Sequence, residues 1–467
     1  MVADVALYML VHQPRRLKLP AQPIPRCASV EDITRCLFDE RLNERSFRQT
    51  ARSCYYPAAR MILDLVQKQG LRLALGLSLS FVYQAERWEP ALIELFRELV
   101  AEEGVELVGA EPYHSLHALI HLPDFTMRMR WMVGEMESIF GKRPTLTDAT
   151  EMSMSTSLYA ALDAAGFRGA IINSTPRIMQ WRSSNYLYRY YVEQPCAVEI
   201  KLPTRARRSS AKHAERDCLG PPYTGETLLE NSPYLLARHR ELSEEVALRF
   251  SRRAQSGYPL YADGYADWVA RANGDCILLG WDFETFGERH SQASGIFEFM
   301  QALPAQLKQH GIAAHTPGEL IDRFATNHAY HLPLPVYPIT WAETEPSVAY
   351  EGQQEILQCM RDVYNLARLT ENPELLDLAI WLAQADNLHH LQWPDVQIPS
   401  FPLEWQQLGA SGILREEKQV YLNVLGALEP HLPTNILRQA PRKPPAKATR
   451  PKSTLEKQNA NGMAHAR

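Results

Sequence analysis

The chain has 467 residues, 45% of them hydrophobic and 22% charged, with 49 Lys+Arg against 54 Asp+Glu and a formal net charge of −5. That much apolar material builds a large core, which excludes disorder over the whole length, and no stretch reaches the ~18 apolar residues of a membrane helix. Seven cysteines, dispersed and without a C-x-x-C pair, argue against a disulfide framework and a cysteine zinc site, and for reduced thiols in the cytoplasm.

The opening Met-Val-Ala-Asp-Val-Ala-Leu-Tyr-Met-Leu-Val-His lacks a basic n-region and a small-residue cleavage site, so it reads as a buried first strand rather than a signal peptide. Taken in chain order, the next elements are a strand at Val5–Val11 and a helix at Ala58–Gln69, whose apolar face carries Met61, Ile62, Leu65 and Val66. A strand at Arg72–Ser78 and a helix at Pro90–Glu102 follow, then strands at Val105–Ala110, Arg143–Thr147 and Arg168–Asn173. A basic, irregular stretch occupies residues 203–216, and the last strand is Cys276–Asp282. Short apolar runs alternating with amphipathic helices predict a parallel sheet, and at this length an α/β barrel.

After Trp341 the pattern contains only helices, at Gln353–Leu369, Pro373–Asp386 and Arg415–Leu428. The expected organisation is therefore a barrel over residues 1–340, a helical region over 341–437 and a disordered basic tail over 438–467. The tail holds eight Lys/Arg and one Glu, so the net charge divides into +7 there and −12 in the remainder. Neither basic stretch interleaves aromatic residues, so both read as solvated and no nucleic-acid partner is expected.

In a parallel barrel the chemistry sits at the C-terminal ends of the strands. The residues just past each apolar run are His12 with Gln13, Glu111 with His114, Asp148 with Glu151, and Asp282, Glu284, Glu288 and His290. Carboxylates, histidines and Trp281 converging on one rim form a sugar-handling set: aromatic platforms for the apolar faces, carboxylates for hydroxyls and for acid/base work. Each has a plainer reading, His12 as a strand cap, Trp281 as core and Asp282–Glu288 as a solvated loop. Their shared position at strand ends is what favours a site.

These segments carry a resemblance. Asp282-Phe-Glu-Thr-Phe-Gly-Glu with Ser294-Gly-Ile-Phe-Glu-Phe-Met, and Leu10-Val-His-Gln-Pro with Arg16-Leu17, resemble the signature of glycoside hydrolase family 57, in its α-amylase-like branch. Phe38–Asn43, Cys54–Pro57, Tyr113–Leu116, Thr150-Glu151, Gln180–Ser183, Leu242–Ser251 and Ile339–Ala342 follow in the family's order, over roughly residues 5–345. The resemblance implies an incomplete (β/α)7 barrel followed by a helical region, and retaining cleavage of α-1,4-glucosidic bonds in glycogen, starch or maltodextrin without metal or organic cofactor. It places the nucleophile at Glu151 and the general acid/base at Asp282, the latter buried beside Trp281. His12, His114, Trp281, Glu284 and Trp341 would line the sugar site.

Transfer by a 4-α-glucanotransferase would use the same residues. A weakly active glucan-binding protein is the non-enzymatic alternative, because the family's Asn before Thr-Glu is Ala149 here, and its His after Gly-Glu is Arg289. The third-strand segment has Glu111 three residues before His114, with Ala110 in the family's glutamate place. Oligomeric state has no signature in the chain.

Overall fold

The protein is described by a computed structural model over residues 4–190, 232–254, 258–325, 329–337, 351–392, 405 and 407–433. The basic stretch 203–216, Trp341 and the tail 438–467 lie outside the described residues.

The strands are β1 (Asp4–Val11), β2 (Leu73–Leu77), β3 (Val105–Gly109), β4 (Leu146–Asp148), β5 (Gly169–Asn173), β6 (Leu187–Arg189), β7 (Tyr234–Arg238), β8 (Cys276–Asp282), β9 (Ala314–His315) and β10 (Tyr330–His331). Seven of them pair in parallel around a closed circuit, β1-β2-β3-β4-β5-β7-β8 and back to β1. β6 runs antiparallel to β7 and carries β10, and β9 adds to β1. This is the expected barrel of seven strands. Its strands are buried on both faces, which is why they read as continuous apolar runs rather than alternating ones.

Strand periodicity sorts the side chains into two cores. Ala6, Tyr8, Ala74, Val108, Leu146, Ile171, Leu236 and Leu278 fill the barrel interior. Val5, Leu7, Met9, Leu73, Leu75, Ile277 and Leu279 face the surrounding helices. Interior space is tight: a Cβ on Gly76 would lie 2.3 Å from the Tyr8 hydroxyl, so glycine there lets a tyrosine stand inside the cylinder.

The strand expected at Arg143–Thr147 is displaced to Leu146–Asp148. β7 was not anticipated; its five-residue run shows no alternation that would separate it from a helical turn. It meets β8 through one residue pair, Arg238 with Leu278, and one further backbone bond and two side-chain bonds finish the join. His239 N donates to Leu278 O at 2.7 Å, Arg238 Nε donates to Gly280 O at 2.9 Å, and Gly280 N donates to Ser243 Oγ at 3.1 Å.

The C-terminal helices are Glu351–Leu369, Pro373–Leu382, Asp386–Gln392 and Gly409–Leu428. The single helix expected over Pro373–Asp386 is broken at Ala383, because the chain there pairs with the loop after β3. Leu116 N donates to Ala383 O at 2.8 Å, Ala385 N donates to His114 O at 2.9 Å, and Ser115 and Gln384 form an antiparallel bridge. Trp381 stacks on Tyr113 with ring centroids 3.9 Å apart and meets Phe38 edge-on at 6.4 Å. Tyr113 Oη donates to Asp377 at 2.9 Å. The apolar residues of these helices belong to the same core that lies between barrel and outer helices. Among the described residues, no helix is long and apolar enough to cross a membrane.

A shared core predicts shared unfolding. Trp381→Ala removes a buried aromatic from the junction and is expected to cost about 3–5 kcal/mol, read by denaturant titration as one transition at lower midpoint. Two transitions, with the barrel's unmoved, would mean that the helices fold apart from it.

Candidate active site

Glu151 stands on the turn that ends β4. Thr150–Met152 form one 3-10 turn, tied to the neighbouring loop by Thr150 Oγ1 donating to Ser115 O at 2.6 Å. The turn forces Glu151 into the left-handed region, φ 62° and ψ 22°. His114, its hydrogen-bond partner, is left-handed too, at φ 55°. Each costs on the order of 1 kcal/mol for a residue with a Cβ and persists only where its surroundings impose it, which is the usual mark of a functional position.

The loop that carries His114 is organised by Glu111. Its carboxylate is 1% exposed and accepts from Tyr113 N at 3.0 Å, Ser115 N at 2.5 Å and Ser115 Oγ at 2.7 Å. Burial pushes this carboxyl up, and the Ser115 hydrogen bonds pull against that. Glu111 is therefore the post on which the His114 turn is built, and its oxygens are spent within the loop.

His114 Nε2 lies 3.2 Å from Glu151 Oε1, and His389 Nε2 lies 2.8 Å from the same oxygen. Burial alone would raise the Glu151 carboxyl, but the charge of His389 and the hydrogen bonds of both histidines outweigh it and hold the carboxyl far below its ordinary range. Reciprocally, burial pulls His114 down, and its bond to Glu151 with the charges of Glu151, Asp386 and Asp148 lifts it to about 9. At neutral pH the arrangement is a carboxylate beside an imidazolium. The His114 ring lies 4.7 Å from that of His12. His12 has Nδ1 at 2.9 Å from Ser78 Oγ and Nε2 at 3.1 Å from Asp386 Oδ2. Burial draws His12 below its usual value, so it is neutral at pH 7, accepting from the Ser78 hydroxyl and donating to Asp386.

Across the barrel mouth, β8 alternates. Gly280 and Asp282 turn inward, which directs Trp281 out. Trp281 is 2% exposed and its indole N–H donates to Ser243 O at 3.1 Å. This corrects the expectation that it lines the sugar site: the two-residue period that puts Asp282 at the mouth sends its neighbour into the helical layer. Asp282 is half exposed rather than buried beside an indole, and Arg289 Nη2 reaches its Oδ2 at 3.1 Å.

Glu284 lies deeper. Tyr55 Oη is 2.8 Å from both Glu284 Oε1 and Gln13 Oε1. Burial, with the charge of Asp282 behind it, pushes the Glu284 carboxyl up to about 8. A protonated Glu284 donates to Tyr55, whose own hydrogen then passes to Gln13, and all three groups are satisfied. His290 turns away, held by Ser251 Oγ at 2.9 Å and Ala247 O at 3.1 Å. The ends of β4 and β8 converge on Tyr8, which donates to Asp148 Oδ2 at 2.6 Å. Burial raises the Tyr8 hydroxyl most, and the charges of Asp148 and Asp282 raise it further. Burial likewise lifts Asp148 to about 6.

The structure thus brings His12, His114 and Glu151 into contact, sets Asp282 and Glu284 on the same rim at the end of β8 and removes Trp281. Trp341 lies outside the described residues. Asp148 was named at the end of its strand, whereas Tyr8, Tyr55, Asp386 and His389 are participants that strand-end reasoning missed. Tyr8 was hidden inside the apolar run of the first strand. Asp386 and His389 are three apart on a helix assigned to a separate region, and only their helical spacing hinted at a common face. Among the described residues, no group of His, Cys, Asp and Glu is arranged to hold a metal ion.

A parallel barrel with carboxylates and imidazoles at its strand ends can host many chemistries, and sequence comparison identifies the family. The profile of Glycosyl hydrolase family 57 matches residues 6–212 and 221–333, and the chain belongs to that family. A Methanocaldococcus jannaschii protein provisionally named an alpha-amylase is 27% identical over 394 residues, 81% of this chain and 75% of its own length. Among solved structures the fold is similar to the alpha-amylase AmyC of Thermotoga maritima, with TM-score 0.55 and 12% identity over 94% of this chain and 96% of that one. It is similar also to a branching enzyme of Pyrococcus horikoshii, with TM-score 0.54 and 13% identity over 86% and 87%. A 4-alpha-glucanotransferase of Thermococcus litoralis gives TM-score 0.56 and 12% identity over 83% of this chain, but only 56% of that one is spanned.

The raised Glu284 carboxyl has a thermodynamic signature. The folded state keeps a proton up to about pH 8 that the unfolded chain releases near ~4.3. Stability therefore falls as pH rises between those values, by up to ~1.4 kcal/mol per unit. Glu284→Gln removes this slope, so the melting-temperature difference, variant minus wild type, is expected to grow from pH 5 to pH 8. Parallel profiles would show that Glu284 is ionised in the fold.

Proposed function

We propose that this protein is a retaining α-glucan hydrolase of the α-amylase type, cleaving α-1,4-glucosidic bonds of glycogen, starch or maltodextrin inside the cell. The observation that carries the reading is Glu151. It is a carboxylate held ionised between two imidazoles on a left-handed turn at the end of β4, and Asp282 stands at the end of β8 on the same rim of the barrel. An ionised, oriented carboxylate opposite a second carboxyl is what a two-step displacement at an anomeric carbon requires.

In the first step a Glu151 oxygen attacks the anomeric carbon, the glycosidic C–O bond breaks and Asp282 gives its proton to the leaving oxygen. In the second, Asp282 takes a proton from water, the water oxygen attacks the same carbon and the ester bond to Glu151 breaks. Glu284 lines the approach and offers its second oxygen to a sugar hydroxyl, while His12, both of whose ring nitrogens are engaged, shapes the wall of the site. The five cysteines among the described residues are unbridged, which supports a reducing compartment.

One contact favours the alternative of a glucan-binding protein with little turnover: Arg289 occupies an oxygen of Asp282, the group that must donate. Assay on maltoheptaose separates the readings. Hydrolysis with Glu151→Gln and Asp282→Asn each slower by ~10³-fold or more is the expected result. Unchanged rates in those variants overturn the assignment, and binding without turnover in the wild type selects the glucan-binding reading. Oligosaccharides longer than the substrate, formed from maltotriose, identify a 4-α-glucanotransferase instead.

A further inference from the structure

We infer that the C-terminal helix Asp386–Gln392 completes the catalytic centre: His389 is a positioning residue that, together with His114, holds Oε1 of Glu151 and so leaves Oε2 as the attacking oxygen. The inference rests on the assignment of Glu151 as nucleophile and adds which of its oxygens reacts and what fixes it.

A carboxylate rotates about its last bond, and its two oxygens are equivalent until something distinguishes them. Here both imidazole nitrogens converge on one oxygen, His389 at 2.8 Å and His114 at 3.2 Å. They arrive from unrelated parts of the chain, the loop after β3 and the helical region. Two donors on one oxygen fix the plane of the carboxylate as well as its charge. Misplacement of a reacting atom by about 1 Å costs up to ~10²-fold in rate. The same donors stabilise the carboxylate as it departs in the second step, when the C–Oε2 bond breaks and the electron pair returns to Glu151.

The helix reaches this position because Asp386, one turn earlier, is itself anchored to His12. The spacing of three places Asp386 and His389 on one face, so one helical turn contributes an acceptor to one histidine of the barrel and a donor to the nucleophile. His389 is 38% exposed in its side chain and is the outermost member of the cluster. The charged and titratable groups around the pair are His114, Asp148 and His12 from the barrel, and Asp386 from the helix itself.

The test uses the full chain with maltoheptaose. His389→Ala is expected to lower kcat 10- to 100-fold with KM changed less than about threefold, and to move the acid limb of kcat/KM up by about one pH unit, since Glu151 loses a cationic neighbour. His389→Gln, which keeps a donor, is expected to recover a large part of kcat without restoring the acid limb. A structural role alone would lower both variants equally and leave the limb in place, and wild-type kcat with an unmoved limb in His389→Ala overturns the inference. A readout independent of turnover is the NMR titration of the His389 ring, which should titrate at lower pH in Glu151→Gln than in wild type; an unchanged titration also overturns it. Should Glu151→Gln hydrolyse maltoheptaose at the wild-type rate, the nucleophile assignment fails, and the NMR result still decides the contact.

Discussion

Two backbone hydrogen bonds, Leu116 N to Ala383 O and Ala385 N to His114 O, join the loop after β3 to the break between two C-terminal helices. On either side of this join lie the Tyr113–Trp381 stack and the buried Glu111 carboxylate. Four of the acids and imidazoles at the barrel mouth take their positions from it. His114 is placed by the turn that Glu111 caps, Asp386 and His389 by the helix that starts where the join ends, and Glu151 by its contacts to both. Backbone pairing is rigid and directional, so side chains from regions more than two hundred residues apart meet at hydrogen-bond distance.

The charges then organise one another. Asp386 faces His12, His12 lies against His114, and His114 and His389 share Glu151, so each acid of the set has an imidazole beside it. Burial works against every charge in this set, and the pairings outweigh it at Glu151, His114 and Asp386 while failing to do so at His12. Past the end of β8, Glu284 has a neutral tyrosine where Glu151 has two imidazoles, and it keeps its proton. Two glutamates of one cleft thus differ in acidity: burial and the Asp282 charge raise Glu284, while two imidazoles outweigh burial at Glu151.

Much of this was legible in the chain. Continuous apolar runs located six of the barrel strands, because a strand covered on both faces needs no polar positions, and the polar residues after them named His12, His114, Glu151 and Asp282. What the pattern lacked was orientation. Trp281 is adjacent to Asp282 in sequence and opposite to it in space, a distinction the two-residue period could have supplied. Asp386 and His389 lay beyond reach for a different reason: their contacts depend on how a helix docks, and helical periodicity records which face is apolar but not what covers its end. The left-handed turn at Glu151 had no glycine or asparagine to announce it.

The seam between β7 and β8 has a consequence for the behaviour of the molecule among its own copies. One residue pair is too little to close a cylinder by backbone alone, and an unclosed cylinder presents two strand borders with unpaired amides and carbonyls. Such borders recruit strands from other chains and start aggregation. Arg238 and Ser243 take up the Gly280 carbonyl and amide that a longer ladder would have used, so the border is sealed by side chains. The approach they need is available because position 280 is a glycine, whose added Cβ would lie 3.0 Å from Arg238 Cδ. The closing seam of the barrel in this sense depends on a single residue without a side chain.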